Sequence, residues 1–157
     1  LQGGSQERGK RAGTENVAGI VGAAAALRLA YEELPRVTPR ITALRDHLIS
    51  GVLTIPGSHL TGHPTERLPN NASFMFDGIE GESILLSLDL HGIAASTGSA
   101  CTSGSVDPSH VLLAMHYSPE EARGTLRLTL GKDNTDADVD AVLTVLPGII
   151  EKIRRLG

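Results

Sequence analysis

Apolar residues recur along this chain with two different periods. Val17, Ile20, Val21, Ala24, Leu27 and Tyr31 fall at helical spacing, the pattern of one apolar helix face. That helix is expected to begin near Thr14 and to end at Pro35, because proline lacks an amide N–H and its ring collides with the preceding turn. Thr38-Pro39 then reads as a cap with proline at the first helical position. Ile41, Leu44, Leu48 and Val52 carry the second helix to Pro56-Gly57. GESILLSLDLHG, residues 81–92, predicts a third helix closed by Gly92 in the left-handed conformation. Asp107-Pro108 restarts a helix through HVLLAMH. Ser118-Pro119-Glu120-Glu121 starts another, with Glu121 placed for a capping box. Thr135 caps a terminal helix with Asp138 in its first turn. Its stripe is Val139, Val142, Leu143, Leu146, Ile150 and Ile153, and Pro147 is expected to kink or split it.

The second period is two. From Thr125 to Leu130 the leucines 126, 128 and 130 face one way, and Thr125, Arg127 and Thr129 the other. Asn71–Asp77 alternates more weakly, and His59–His63 and Ile93–Thr97 suit short strands. The opening LQGGSQERGKRAGTEN and the stretch Pro64–Asn70 read as loops. The order gives a mixed α/β layer, a few-stranded sheet with helices packed on it. No internal repeat or low-complexity tract is present.

Composition narrows the function classes. A length of 157 residues suits one compact domain. Mean hydropathy is near zero, and no apolar run approaches the ~20 residues of a membrane span. The net charge of −4 argues against a general attraction to nucleic acid. Two Tyr, two Phe and no Trp leave little for stacking on bases. A single cysteine excludes an internal disulfide and a multi-cysteine zinc site, and a reducing cytoplasm is the natural setting. The chain begins at Leu1 with no signal-peptide pattern and reads as a piece of something longer.

Three positions carry candidate chemistry. Cys101 stands in ASTGSACTSGSVDPSH, where every residue from Ser96 to Ser105 is Ser, Thr, Gly, Ala or Cys. A lone cysteine is commonly a small buried apolar residue, yet nothing large and apolar lies within four positions of this one. The loop 96–107 therefore reads as mobile and its thiol as able to swing between sites, provided its pKa is lowered or an acid/base is near. Thr14 is either a plain helix cap or part of an anion site, with Gly13 admitting the anion and Arg8, Lys10 and Arg11 adding charge. Arg127 is either a solvated strand residue or a clamp for a carboxylate, since a guanidinium offers two parallel hydrogen bonds. His59 and His63 are four apart but flanked by proline and glycine, so no metal set is expected. His110 could pair with the thiol, but a histidine at a helix start is the simpler reading.

The segments GGSQERGKRAGTENVAGIVGA, GESILLSLDLHGIAASTGSACTSGSVDPSHVLLAM and ARGTLRLTLGKDNT resemble the C-terminal part of cysteine desulfurases of the NifS/IscS kind. The similarity runs through nearly the whole chain, and GSACTSGS…PSHVLLAM is its most specific block. The resemblance implies the C-terminal small domain of a pyridoxal 5′-phosphate (PLP) enzyme of fold-type I, plus the segment linking it to the cofactor domain. Residues 1–16 would belong to the edge of the cofactor site and residues 17–157 to the small domain. It also implies a homodimer that converts L-cysteine to L-alanine and leaves a persulfide for an iron–sulfur scaffold or another acceptor. Cys101 matches the sulfur-accepting cysteine, Thr14 the threonine that contacts the PLP phosphate, and Arg127 the arginine that holds the substrate carboxylate. No resident metal is expected, beyond a cluster shared transiently with a scaffold through Cys101. No nucleic acid or membrane partner is expected.

The departures are specific. The family's imine-forming lysine lies in a serine-x-histidine-lysine segment, and none of Lys10, Lys132 and Lys152 has that context. Ser5 stands where glycine is usual, His116-Tyr117 where a glycine-containing pair is common, and Lys132 where arginine is frequent. The missing lysine keeps an alternative open, a non-catalytic sulfur-carrier or docking domain. A Cys–His hydrolase built on Cys101 and His110 lacks an orienting third residue.

Overall fold

The computed structural model of the protein describes residues 2–98 and 108–156. The chain divides into two compact units, Leu1–Val37 and Thr38–Gly157.

The first unit opens with a small hairpin where the sequence suggests only loop. Strands β1 (Ser5–Gln6) and β2 (Arg11–Ala12) pair antiparallel, with Ser5 opposite Ala12, around a 3-10 turn at Glu7–Gly9. Helix α1 (Val17–Val52) follows. Its N-terminus is capped by Asn16, whose Oδ1 accepts the Gly19 amide at 3.0 Å. Thr14 is therefore not the cap, because the helix begins three residues after it. In this unit Val17, Ile20, Val21, Leu27, Leu29 and Tyr31 of α1 all remain exposed.

Pro35 does not end α1, and Pro39 does not begin a new helix; both lie within one helical segment. Each proline withdraws one i→i−4 bond, stranding the carbonyls of Tyr31 and Pro35. Tyr31, Pro35 and Pro39 are all exposed, so water can take the place of the missing donors. The division between the two units nevertheless falls between the two prolines. The same reasoning covers Pro147, which is exposed and leaves α5 (Asp136–Leu156) unsplit.

The second unit is a three-stranded antiparallel sheet in the order β3 (Ser58–Leu60), β4 (Asn71–Phe76), β5 (Thr125–Thr129). Ile93–Thr97, expected as a strand, contributes a single bridge, Ser96 opposite Arg127. Phe74 pairs with Leu126 and Ala72 with Leu128, so one face of the sheet is apolar. These four side chains are buried together with Leu48 and Val52 of α1, Ile84 and Leu88 of α2 (Gly81–Asp89), and Val139, Leu146 and Ile150 of α5. Fully burying a side chain of that size contributes roughly 1.5–3 kcal/mol. Helices α1 and α5 approach so closely that a Cβ on Gly51 would fall 2.5 Å from the Leu143 methyls. Gly92 closes α2 at φ +72°, in the left-handed conformation its position required. Short helices α3 (His110–Ala114) and α4 (Pro119–Arg123) complete the unit, and the expected capping box of Ser118 and Glu121 is formed in full. Thr125, expected outside, is buried instead, its hydroxyl donating to the carbonyls of Thr97 and Ala122 at 2.9 Å.

Candidate functional site

The outer face of the sheet carries a row of polar residues. Strand register sets Ser73 opposite Arg127, and Arg127 opposite Ser96. Thr61 extends the row beyond β3, donating to the Ser73 carbonyl through both its amide (2.9 Å) and its hydroxyl (3.1 Å). Neighbours in register point to the same side of a sheet. The alternation that buries Leu126 and Leu128 thus presents Arg127 outward, exposed.

Arg127 is well anchored at its backbone and lightly engaged at its tip. Its amide donates to the Ser96 carbonyl at 2.6 Å, and its carbonyl accepts the Ser96 amide at 3.1 Å. The guanidinium makes one long bond, Nη2 to Ser96 Oγ at 3.4 Å. Among the described residues its other N–H groups are left for a ligand. It lines a cleft of about 330 Å³ together with Thr61, His63, Arg67, Gly98 and Ser109, among others. Gly98 precedes residues 99–107 and Ser109 closely follows them.

The loop between β3 and β4 lines the same cleft. Arg67 folds back onto it, donating from Nε to the His63 carbonyl at 2.9 Å and from Nη2 to the Thr61 carbonyl at 2.9 Å. Arg45 of α1 holds the same loop through the Leu68 carbonyl at 3.0 Å, while pairing with Asp46 at 2.7 Å. Burial, and then the nearby Arg45 charge, lower the Arg67 pKa, with Asp46 acting in the opposite direction. A guanidinium stays charged through such a shift. Among the described residues the cleft therefore holds two fixed positive charges, Arg67 and Arg127, against one carboxylate, that of Glu66.

The other expected site residues are placed as follows. Thr14 is exposed in the first unit, and its carbonyl accepts Arg11 Nη1 at 3.4 Å. Arg11 also pairs with Glu15 at 2.9 Å, so part of the expected positive charge is already engaged. Cys101 and most of the loop 96–107 lie outside the described residues. His110 is the exposed first residue of α3. His59 is paired with Asp77 at 3.0 Å. Among the described residues no three His, Cys, Asp or Glu side chains are placed to hold a metal, and no helix is long and apolar enough to cross a membrane. The sequence raises His63 only as a possible metal partner of His59 and does not single out Arg67; the available signal was an arginine inside a loop joining two paired strands.

The chain belongs to the aminotransferase class-V family, whose model matches residues 4–142. It is 54% identical over 157 residues to cysteine desulfurase IscS 1 of Archaeoglobus fulgidus, covering all of this chain and 41% of that protein. It is 46% identical to cysteine desulfurase NifS of Azotobacter vinelandii, covering 39% of it. Among solved structures, a NifS-like protein superposes with a TM-score of 0.80 at 38% identity, covering 97% of this chain and 38% of that one. A NifS-like protein from Rickettsia africae gives 0.81 at 30% identity, covering 96% of this chain and 39% of that one. The chain thus spans about two fifths of the length of the relatives it matches.

Proposed function

We propose that this chain is the part of a cysteine desulfurase that supplies the substrate-carboxylate clamp and the sulfur-accepting thiol. The observation that carries the reading is the Arg127 cleft, lined also by Gly98 and Ser109 on either side of the segment that contains Cys101. In this reading Arg127 holds the L-cysteine carboxylate in a bidentate pair. The Cys101 thiolate attacks the substrate sulfur, the substrate C–S bond breaks with its electron pair left on the alanine moiety, and a proton replaces the sulfur. L-alanine leaves, and Cys101 keeps the sulfur as a persulfide for an iron–sulfur scaffold or another acceptor. The relatives' names support this chemistry for the family.

The residues present do not by themselves fit PLP, the cofactor of such enzymes. None of Lys10, Lys132 and Lys152 lines the Arg127 cleft, and the serine-x-histidine-lysine context is missing. In the complete enzyme PLP, when bound, would supply the electron sink for the pair left by the departing sulfur. Thr14 would serve only as one contact to its phosphate, the residue being exposed. A homodimer and a cytoplasmic location belong to the same proposal, supported by the resemblance and by the single cysteine.

The test uses the complete enzyme with L-cysteine. Alanine and a persulfide on Cys101 should form in equal amounts, and Cys101→Ser should abolish the persulfide. Arg127→Gln should lower kcat/KM about a hundredfold, the scale of hydrogen bonds to a charged group. Sulfur transfer retained by Cys101→Ser, or unchanged kcat/KM in Arg127→Gln, overturns the reading. A persulfide acquired from a donor with no alanine formed would instead favour the sulfur-carrier alternative, which the missing lysine motivates.

A further inference from the structure

His63 lines the Arg127 cleft, and its ring is fixed on one side only. Nδ1 accepts the Glu66 amide at 2.8 Å and the Thr65 amide at 3.2 Å, with the Thr65 hydroxyl at 3.4 Å. An imidazole nitrogen that accepts backbone N–H groups carries no proton, so the neutral ring bears its proton on Nε2. No described residue takes a hydrogen bond from that Nε2–H. The backbone beneath the ring is held as well, since Arg67 Nε donates to the His63 carbonyl at 2.9 Å and Arg45 holds Leu68 further along the loop. A donor of defined tautomer and the lightly engaged guanidinium of Arg127 thus line the same cleft. Both are complementary to an anion, and among the described residues Glu66 is the one carboxylate that lines the cleft.

We propose that His63 is a second ligand-contacting residue of this cleft, donating from Nε2–H to the carboxylate of an amino acid whose other contact is Arg127. The identity of that amino acid as L-cysteine rests on the desulfurase reading; the carboxylate site itself does not. Arg67 is then a positioning residue, acting through the loop that carries His63.

Two substitutions separate this role from a purely structural one. In His63→Asn the side-chain Oδ1 can stand where Nδ1 stood and accept the same two amides, so the turn survives while the Nε2–H is lost. His63→Ala loses both. The chain, labelled with 15N in its histidine rings, is titrated with L-alanine, which carries the same carboxylate without the thiol. The His63 Nε2 resonance should move on binding. His63→Asn should bind L-alanine roughly tenfold more weakly than the wild type while keeping its thermal midpoint, and His63→Ala should lose both binding and stability. An unmoved resonance, or equal affinity in His63→Asn and wild type, overturns the proposal. In the complete enzyme His63→Asn should raise KM for L-cysteine with kcat little changed. If the wild-type complete enzyme makes no alanine at all from L-cysteine while the resonance still moves with L-alanine, the desulfurase reading fails and the carboxylate site stands.

Discussion

Gly124 sits where two opposing effects can be weighed. It caps α4 with φ −76° and ψ 23°, a conformation open to any residue. On backbone grounds alone, alanine there should stabilise by about 0.4–1 kcal/mol, because it restricts the unfolded chain. Packing says the opposite. A Cβ on Gly124 would lie 2.7 Å from the Phe76 carbonyl oxygen and 2.8 Å from that of Ile79, where ordinary contact begins at 3.4 Å. Neither oxygen belongs to a side chain that can swing away. The Phe76 amide donates to the Gly124 carbonyl at 2.9 Å, tying the two segments together. Opening such a contact costs about 1–3 kcal/mol, and a rigid main-chain obstacle belongs to the upper part of that range. The net expectation for Gly124→Ala is a loss of about 1–2 kcal/mol. Gly148 is the control: it lies inside α5, exposed, with nothing within 4 Å of a built Cβ. Gly148→Ala should gain about 0.5–1 kcal/mol from helix propensity. Urea unfolding reads both, and the midpoint should fall by roughly 0.5–1 M for Gly124→Ala and rise for Gly148→Ala. A midpoint that rises for both variants would refute the packing argument.

Three further expectations concern different parts of the chain. Glu121 and Asp138 have carboxyl pKa values held below the ordinary range, first by the backbone N–H groups of Ser118 and Thr135 respectively. A depressed folded pKa gives stability that is present above the unfolded values of 4.5 and 3.8 and is lost as pH falls below them. Urea midpoints measured from pH 7 to pH 3 should therefore fall less steeply below pH 5 in Glu121→Gln/Asp138→Asn than in wild type; parallel curves would contradict this. His116 holds φ +68° without being glycine, a conformation histidine tolerates better than branched residues do. His116→Val should lose about 1–2 kcal/mol and His116→Gly should be at least as stable as wild type, so thermal midpoints in the reverse order would count against the left-handed turn. Ile84, with no exposed surface, should cost about 2–5 kcal/mol on change to alanine. Leu27, 70% exposed, should cost less than about 0.5 kcal/mol. Equal losses at both sites in urea unfolding would contradict the burial pattern.

What the amino-acid sequence determined by itself was local. The capping box of Ser118 and Glu121, the left-handed Gly92 and the outward side of Arg127 each follow from residues a few positions apart. The resemblance to NifS/IscS proteins likewise rests on contiguous blocks. What only the tertiary structure decided involved partners distant along the chain or a choice between competing local signals. Thr125 is buried because the carbonyl of Thr97 reaches its hydroxyl from 28 residues away. The helix runs through Pro35 and Pro39 because Tyr31 and Pro35, whose carbonyls lose their donors, are exposed to water, and Asn16 rather than Thr14 caps it because the first turn closes there. His63 and Arg67 line the same cleft as Arg127, where the β4–β5 register sets Ser73 opposite Arg127 and Thr61, at the start of the β3–β4 loop, bonds to Ser73. A one-residue slip in that register would turn Arg127 into the core. Periodicity shows which face a residue takes, but not which loop comes to cover it.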